Sequence, residues 1–360
     1  MKLFVAGGCG EHGRNCFYVE QNGAAFLVDC GLLAGAEDNL PRLSTEQIGT
    51  LRAVFLTHSH ADHTGALPWL AQQGYQGSVY ATLPTLTQLP FSLEHIQTLE
   101  GLCPCKVSGT VPELPGLRVM WGRSGHCAGS VWLRFDWNGK SILFSGDYAE
   151  HSPLYPCDLL RGQKADLAVL DSAYGNASAD WNQCVKKLCV ETVQRLKRTP
   201  LLFFPVPKYG RGPEILLLLK QFAPNLKFYG DAHFLRQLKE IQLGGPWLLP
   251  VPPHFADWVQ PDVSLSREKG IVFLSGPQLT GKAGLRAREM AAHGALGVMT
   301  GTPDAGSLSA EMLANGQMIF LRYPVHLNLT QCHKLATQNQ FERVVPYHSP
   351  EIRCHQSFEL

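Results

Sequence analysis

The chain has 360 residues, 45% of them apolar and 17% charged, with a formal net charge of +1. That length is ample for two domains with buried cores, and the composition describes a soluble globular protein. The near-neutral balance gives no whole-surface grip on nucleic acid, so any hold on phosphates must come from local clusters. No apolar run approaches membrane-spanning length. The opening residues 1–6 make too short an apolar stretch for a signal peptide. Eleven cysteines, an odd number without regular spacing, predict reduced thiols in a cytosol-like compartment. Cys103-Pro104-Cys105 is their closest pair, and no second pair matches it as a zinc knuckle would require.

Short strands punctuated by glycine fill the first half: 2–6, 16–20 and 25–29, the last ending on Asp29 before Cys30-Gly31. A carboxylate there either serves the local turn or orients a metal-binding histidine through its second ring nitrogen. The apolar run 53–57 predicts a buried strand, and residues 64–70 read as a helix entry. Between them lies Thr57-His58-Ser59-His60-Ala61-Asp62-His63, four metal-binding side chains within six residues. Imidazole with carboxylate suits zinc, with iron and manganese as lesser alternatives. His58 and His60, separated by one small residue, can face one ion while Asp62 and His63 turn to a second.

Further strands are expected at 78–81, 118–121, 130–136, 141–145 and 168–171. So dense a run of short strands implies two packed sheets. Two loops among them have the shape of ligand loops. His126 sits in Ser124-Gly125-His126-Cys127-Ala128-Gly129-Ser130, and Asp147 follows Gly146 at a strand end. Each alone could be a turn residue; together, in this order after the cluster, they read as further ligands. A carboxylate such as Asp147 can bridge two cations about 3.5–4 Å apart.

From about residue 180 helices (181–197, 212–221, 234–241, 282–293, 307–315) alternate with strands (201–206, 227–229, 247–249, 271–274, 297–300). That alternation predicts βα units around a mostly parallel sheet. The last stretch, 318–360, returns to strand, helix and strand and is expected to complete the first domain.

Asp29, His58-x-His60-x-Asp62-His63, His126 and Asp147 resemble the ordered motifs of the metallo-β-lactamase fold. The resemblance implies an αββα sandwich with a dinuclear zinc site at one sheet edge. His58, His60 and His126 would hold one zinc, Asp62 and His63 the second, and Asp147 would bridge. Asp171-Ser172-Ala173-Tyr174-Gly175 is similar to the first signature of the β-CASP branch, with Ala173 in place of threonine. Gly210-Arg211-Gly212-Pro213-Glu214, Ser275-Gly276 and the segment Val298-Met299-Thr300-Gly301 resemble its later elements. His326 and His348 fall at its second and third signature histidines. The implied domains are 1–171 and 326–360 for the sandwich and 172–325 for an inserted β-CASP domain. Leu327-Asn328 and Ser349-Pro350 depart from the usual residues after those histidines.

By that resemblance the chain is expected to be a metal-dependent hydrolase, a ribonuclease working through a dinuclear metal-activated hydroxide. A histidine at the third signature marks branch members that act on RNA, whereas DNA-repair members generally carry valine there; His348 would also complete the second zinc's ligands. Asp62, His326, Asp171 and Asp29 form the expected catalytic set, with Asp171 positioning His326 to contact the scissile phosphate or protonate the leaving oxygen. Lys208, Arg211, Ser275, Gly276 and His326 are the expected substrate contacts. Against this, Lys208 can be merely solvated and Arg211 paired with Glu214. Lys282, Arg286 and Arg288 read as a solvated helix face, and Tyr174, Tyr209 and Trp181 as core aromatics more readily than as base-stacking platforms. The expected partner is RNA, single-stranded, with no membrane, in a cytoplasmic homodimer or processing-complex subunit. Competing readings are a DNA nuclease of the same architecture, a small-molecule hydrolase of this fold, and a non-catalytic subunit of an RNA-processing complex. His348, the long insertion and the complete ligand set argue against these in turn.

Overall fold

The computed structural model describes residues 1–261 and 269–360. The chain forms two compact units: one of Met1–Glu150, Cys157–Ser178 and His326–Leu360, the other of His151–Pro156 and Ala179–Val325.

The first unit is an αββα sandwich built from a seven-stranded and a six-stranded sheet. Its sheets meet through aromatic side chains. Phe26 lies 4.5 Å and Phe55 4.9 Å, centroid to centroid, from Phe135 of the opposite sheet, and Phe17 lies 5.5 Å from Phe144. Alternation along each strand sends the neighbours outward. Leu27 and Val54 pack beneath Ile48, Leu67 and Leu70, which come from helices Thr45–Thr50 and Leu67–Gln72. On the far face Leu143, Ala168 and Leu170 pack with Cys332 and Leu335 of helix Leu329–Thr337. Asn328 starts that helix with a reciprocal capping box to Gln331.

Strand direction places the site. Ala24–Val28 runs parallel to Leu51–Phe55, and Lys164–Asp171 runs parallel to both Lys140–Phe144 and Gln340–Tyr347. Asp29, the 57–63 loop, Asp147, Asp171 and His348 all follow or end the carboxyl ends of these strands. Side chains converge outside strand ends in such sheets.

The second unit is a six-stranded, fully parallel sheet that includes Leu201–Val206, Gly270–Ser275 and Leu296–Met299. Ala287, Met290 and Met312 cover one face, and Phe234 stacks at 4.5 Å on Phe273. Burial on both faces explains its continuous apolar strands.

Three expectations need correction. Residues 247–249 form no strand and the edge strand is Val259–Pro261: the Leu248 and Leu249 N–H groups go to the Gly245 and Leu154 carbonyls, and Pro250, Pro252 and Pro253 offer no N–H groups with which to extend a ladder. Strand Met318–Phe320 pairs with Leu296–Met299 and so closes the second unit's sheet rather than the sandwich. The thiols are not all reduced: Cys9 is bonded to Cys354 across 345 residues of sequence, while the nine other cysteines form no disulfide among the described residues. Cys103 and Cys105 share no ligand geometry; one Sγ faces the Val119 carbonyl and the other the Asp158 carboxylate. Among the described residues no helix is long and apolar enough to cross a membrane.

Glu214 is the buried charge of the second unit. Ser152 and Tyr323 donate hydroxyls to its Oε1 at 2.5 and 3.2 Å, and among the described residues Oε2 has no hydrogen-bond partner. Arg211 does not pair with it but donates to the Thr300 carbonyl at 3.3 Å. Burial pushes the Glu214 carboxyl up to about 7, only partly opposed by those hydroxyls and by Arg211. A raised folded-state value means stability that is full below the unfolded pKa and is lost as pH rises through about 7. Glu214→Gln should therefore gain about 2–4 kcal/mol on wild type at pH 8 relative to pH 5, read by urea denaturation at both pH values. An equal gain at the two pH values would refute the assignment.

Candidate metal centre

The 57–63 loop folds against the segment after Asp29. Cys30 and Leu32 donate N–H groups to the His63 and Ala61 carbonyls, and Asn15 donates to the Asp62 carbonyl. Gly31 lies so close that a Cβ there would stand 1.7 Å from the Asp62 carbonyl oxygen. Only glycine lets the two backbones approach in this way. His60 then caps the short helix Ala61–Thr64, and Thr64 secures the turn by donating to the Ser59 and His60 carbonyls.

Two sets of donors result. His58 Nε2 and His126 Nε2 lie 3.0 and 3.2 Å from His60 Nδ1, and 3.4 and 3.5 Å from Asp147 Oδ2. A tetrahedral ion with ligands at about 2.0–2.1 Å has ligand atoms about 3.3 Å apart. Four of the six edges of such a tetrahedron are thus already near that length, and all four ligand atoms lie within 4.8 Å of one another. The second set gathers on the other oxygen of the same carboxylate. Asp147 Oδ1 lies 3.3 Å from His63 Nε2 and 3.1 Å from His348 Nδ1, while Asp62 Oδ2 lies 3.6 and 3.0 Å from the Nε2 atoms of His63 and His348. Asp147 thus turns one oxygen to each set.

Charge supports the same fit. His58, His63, His126, Asp147, Asp171 and His348 are all buried, and among the described residues no lysine or arginine pairs with Asp62, Asp147 or Asp171. Buried carboxylates need a compensating cation, which here falls to the neighbouring histidines or to a metal ion. Burial alone would raise the Asp147 carboxyl, but His63, His348, His326 and His58 hold it well below its ordinary range. Burial, then His63, push His58 well below the usual histidine value, leaving the neutral nitrogen a metal ligand needs. Burial disfavours a charge on His63 too, yet Asp147, Asp29 and Asp62 outweigh it and raise its pKa.

Around these donors stand supporting groups. Asp29, at a left-handed φ of 60°, accepts from the Thr57 N–H and hydroxyl and takes His63 Nδ1 at 2.7 Å. That bond fixes the His63 tautomer and leaves Nε2 for an ion. Asp171 accepts from the amides of Tyr148, Ala173 and Leu327, and His326 Nδ1 lies 3.2 Å from its Oδ2. The His326 ring stands 4.8 Å from that of His126, with Tyr174 packed edge-on at 5.3 Å. Asp62 is 32% exposed, so the site reaches solvent on its side.

The structure thus gathers His58, His60, Asp62, His63, His126, Asp147 and His348, with Asp29, Asp171 and His326 beside them. Lys208, Arg211, Ser275 and Gly276 belong to the second unit. Lys208 is exposed, and the Ser275 N–H and hydroxyl are both taken by Asp231, which caps helix Ala232–Leu243. Arg286 and Arg288 pair on the surface with Glu289 and Glu311. Two residues near the donors went unread in the sequence. Asn15 is fully buried with its Nδ2 2.8 Å from His63 Nε2, and His12 stacks on His348. Their only signal is a polar trio, Glu11-His12 and Asn15, in a glycine-rich run after the first strand.

The model of the metallo-β-lactamase superfamily matches residues 9–188. The chain belongs to that superfamily, and the parallel-sheet insertion and its relatives put it in the β-CASP branch. The transcription termination factor FttA of Methanothermobacter thermautotrophicus is 29% identical over 61% of this chain and 40% of its own length. Integrator complex subunit 11 of Danio rerio is 25% identical over 67% of this chain and 45% of its own. Endoribonuclease ysh1 of Emericella nidulans is 25% identical over 62% of this chain and 28% of its own. The chain therefore spans less than half the length of these relatives. A crystal structure of a protein of unknown function from Enterococcus faecalis V583 shares the fold, with a TM-score of 0.59 at 14% identity, over 98% of this chain and 94% of that one.

Proposed function

We propose that this chain is a zinc-dependent phosphodiesterase that hydrolyses RNA at a dinuclear site. The observation that carries the reading is the Asp147 carboxylate, whose two oxygens face two separate donor sets. His58, His60 and His126 would hold one ion and Asp62, His63 and His348 the other, with Asp147 offering an oxygen to each. Zinc suits these nitrogen and oxygen donors best, with manganese or iron as substitutes. Bound there, two such ions supply a nucleophile at neutral pH and neutralise charge on the phosphate.

The protein's own groups do the rest. Asp29 orients His63, and Asp171 holds His326 by Nδ1 so that its other nitrogen faces the substrate, where it contacts the phosphate or protonates the leaving oxygen. Lys208 and Arg211 contribute phosphate contacts by charge, and Ser275 and Gly276 stay in the proposed set. The Ser275 N–H and hydroxyl are held by Asp231 and the Gly276 N–H by the Val206 carbonyl, so these two would have to exchange those bonds to reach a phosphate. The sandwich is placed at residues 1–171 and 326–360 and the insertion at 172–325, bounds that differ from the compact units at 151–156 and 172–178. RNA as substrate is supported by His348 at the third signature and by relatives named for transcription termination, the Integrator complex and endoribonuclease activity. The Integrator relative's name supports a place in a complex; single-stranded RNA, a homodimer and a cytoplasmic location belong to the same reading and rest on the sequence alone.

The test uses matched RNA and DNA strands labelled at the 5′ end, the RNA bearing monophosphate, triphosphate or hydroxyl. RNA should be cut and DNA spared, with single-nucleotide products marking exonuclease and internal fragments endonuclease action. A preference for DNA would overturn the substrate assignment.

A further inference from the structure

His348 is delivered to the site in a strained state. It follows strand Gln340–Tyr347 with a left-handed φ of 74°, a conformation that costs a residue with a Cβ about 1–3 kcal/mol unless its surroundings impose it. The loop after the first strand imposes it. His348 donates its N–H to the Gly8 carbonyl at 2.6 Å. Its own carbonyl oxygen lies 3.0 Å from His12 Nδ1, which must be the donor, and among the described residues no other group bonds that carbonyl. The two imidazoles are stacked, with centroids 4.6 Å apart and planes 12° apart. Glu11 fixes the loop in turn, accepting from the Gly8 amide and from the buried Arg14 guanidinium. Cys9 ties the same loop to Cys354, just beyond His348.

We propose that His12 is a positioning residue for the second metal ion: through its hydrogen bond to the His348 carbonyl and its stack on the His348 ring, it holds that imidazole against Asp62 and Asp147. His12 itself touches neither oxygen that faces the ion. The inference rests on the two-metal reading above and adds to it a residue outside every motif that led there. Partners that orient a metal-binding histidine are worth about 10–100-fold in metal affinity. Asn at position 12 places an amide N–H near the histidine Nδ1–H, whereas Phe keeps the stack and loses the donor.

The experiment is a zinc titration of wild type, His12→Phe, His12→Asn and His12→Ala against a competing chelator, with thermal unfolding of each protein followed in parallel. Wild type should bind two equivalents. His12→Ala should weaken one of them about 10–100-fold and leave the other unchanged. His12→Phe should fall between, His12→Asn should recover most of the loss, and unfolding temperatures of the metal-free proteins should agree. Wild-type affinities for both ions in His12→Ala and His12→Phe overturn the proposal, as does equal weakening of both sites with a lowered unfolding temperature, which marks a general structural role. Wild type that binds one equivalent or none defeats the two-metal reading itself, and this inference with it.

Discussion

Asp147→Ala is expected to abolish RNA hydrolysis, by about 10³-fold or more in kcat/KM, while the circular dichroism spectrum stays native. The reason is its position: one oxygen lies 3.4 Å from His58 Nε2, the other 3.3 Å from His63 Nε2. Removing it strips a ligand from both donor sets at once, and a 10³-fold loss corresponds to about 4 kcal/mol of barrier. The same variant should retain at most one of two zinc equivalents, measured by elemental analysis of the purified protein. By contrast, a ligand confined to one set, such as His60, should cost one ion only. Two full equivalents and residual activity in Asp147→Ala would rule out a shared carboxylate.

His326→Ala should behave differently, losing rate without losing metal. Its Nδ1 is held 3.2 Å from Asp171, its ring stands beside that of His126, and its side chain is 9% exposed. If it protonates the leaving oxygen, its loss removes about 10²–10⁴-fold from kcat. A substrate whose leaving group needs no proton, such as a nitrophenyl phosphodiester, should lose far less. Equal losses on both substrates would show that His326 binds phosphate instead. Depleted zinc in this variant would make it a ligand.

The convergence of the candidate donors was largely legible because chemistry and spacing coincide in one loop. His58, His60, Asp62 and His63 need no tertiary information to be read as ligands, and His126 and Asp147 sit at glycine-flanked strand ends. His12 and Asn15 were not legible, because their roles come from packing against His348 and His63, far away in sequence. The Cys9–Cys354 bond was hidden by the same distance. The strands of the sandwich were readable as short apolar runs punctuated by glycine. The apolar trio at 247–249 misled because hydrophobicity alone does not register the prolines that follow it. Met318–Phe320 misled for another reason: a short edge strand carries no local mark of which sheet it joins.

His348 enters the site on the end of strand Gln340–Tyr347, whose ladder partner is Lys164–Asp171. During synthesis residues 1–171 therefore emerge with a sheet edge unpaired and, on the proposed reading, a metal site one histidine short. The whole second unit must be made before the strand that completes both arrives. Such non-local pairing is slow to form and exposes an edge while it waits. On the two-metal reading the site stays incomplete until residue 348 has been made, so a nascent chain that stops short of it should bind one metal ion fewer.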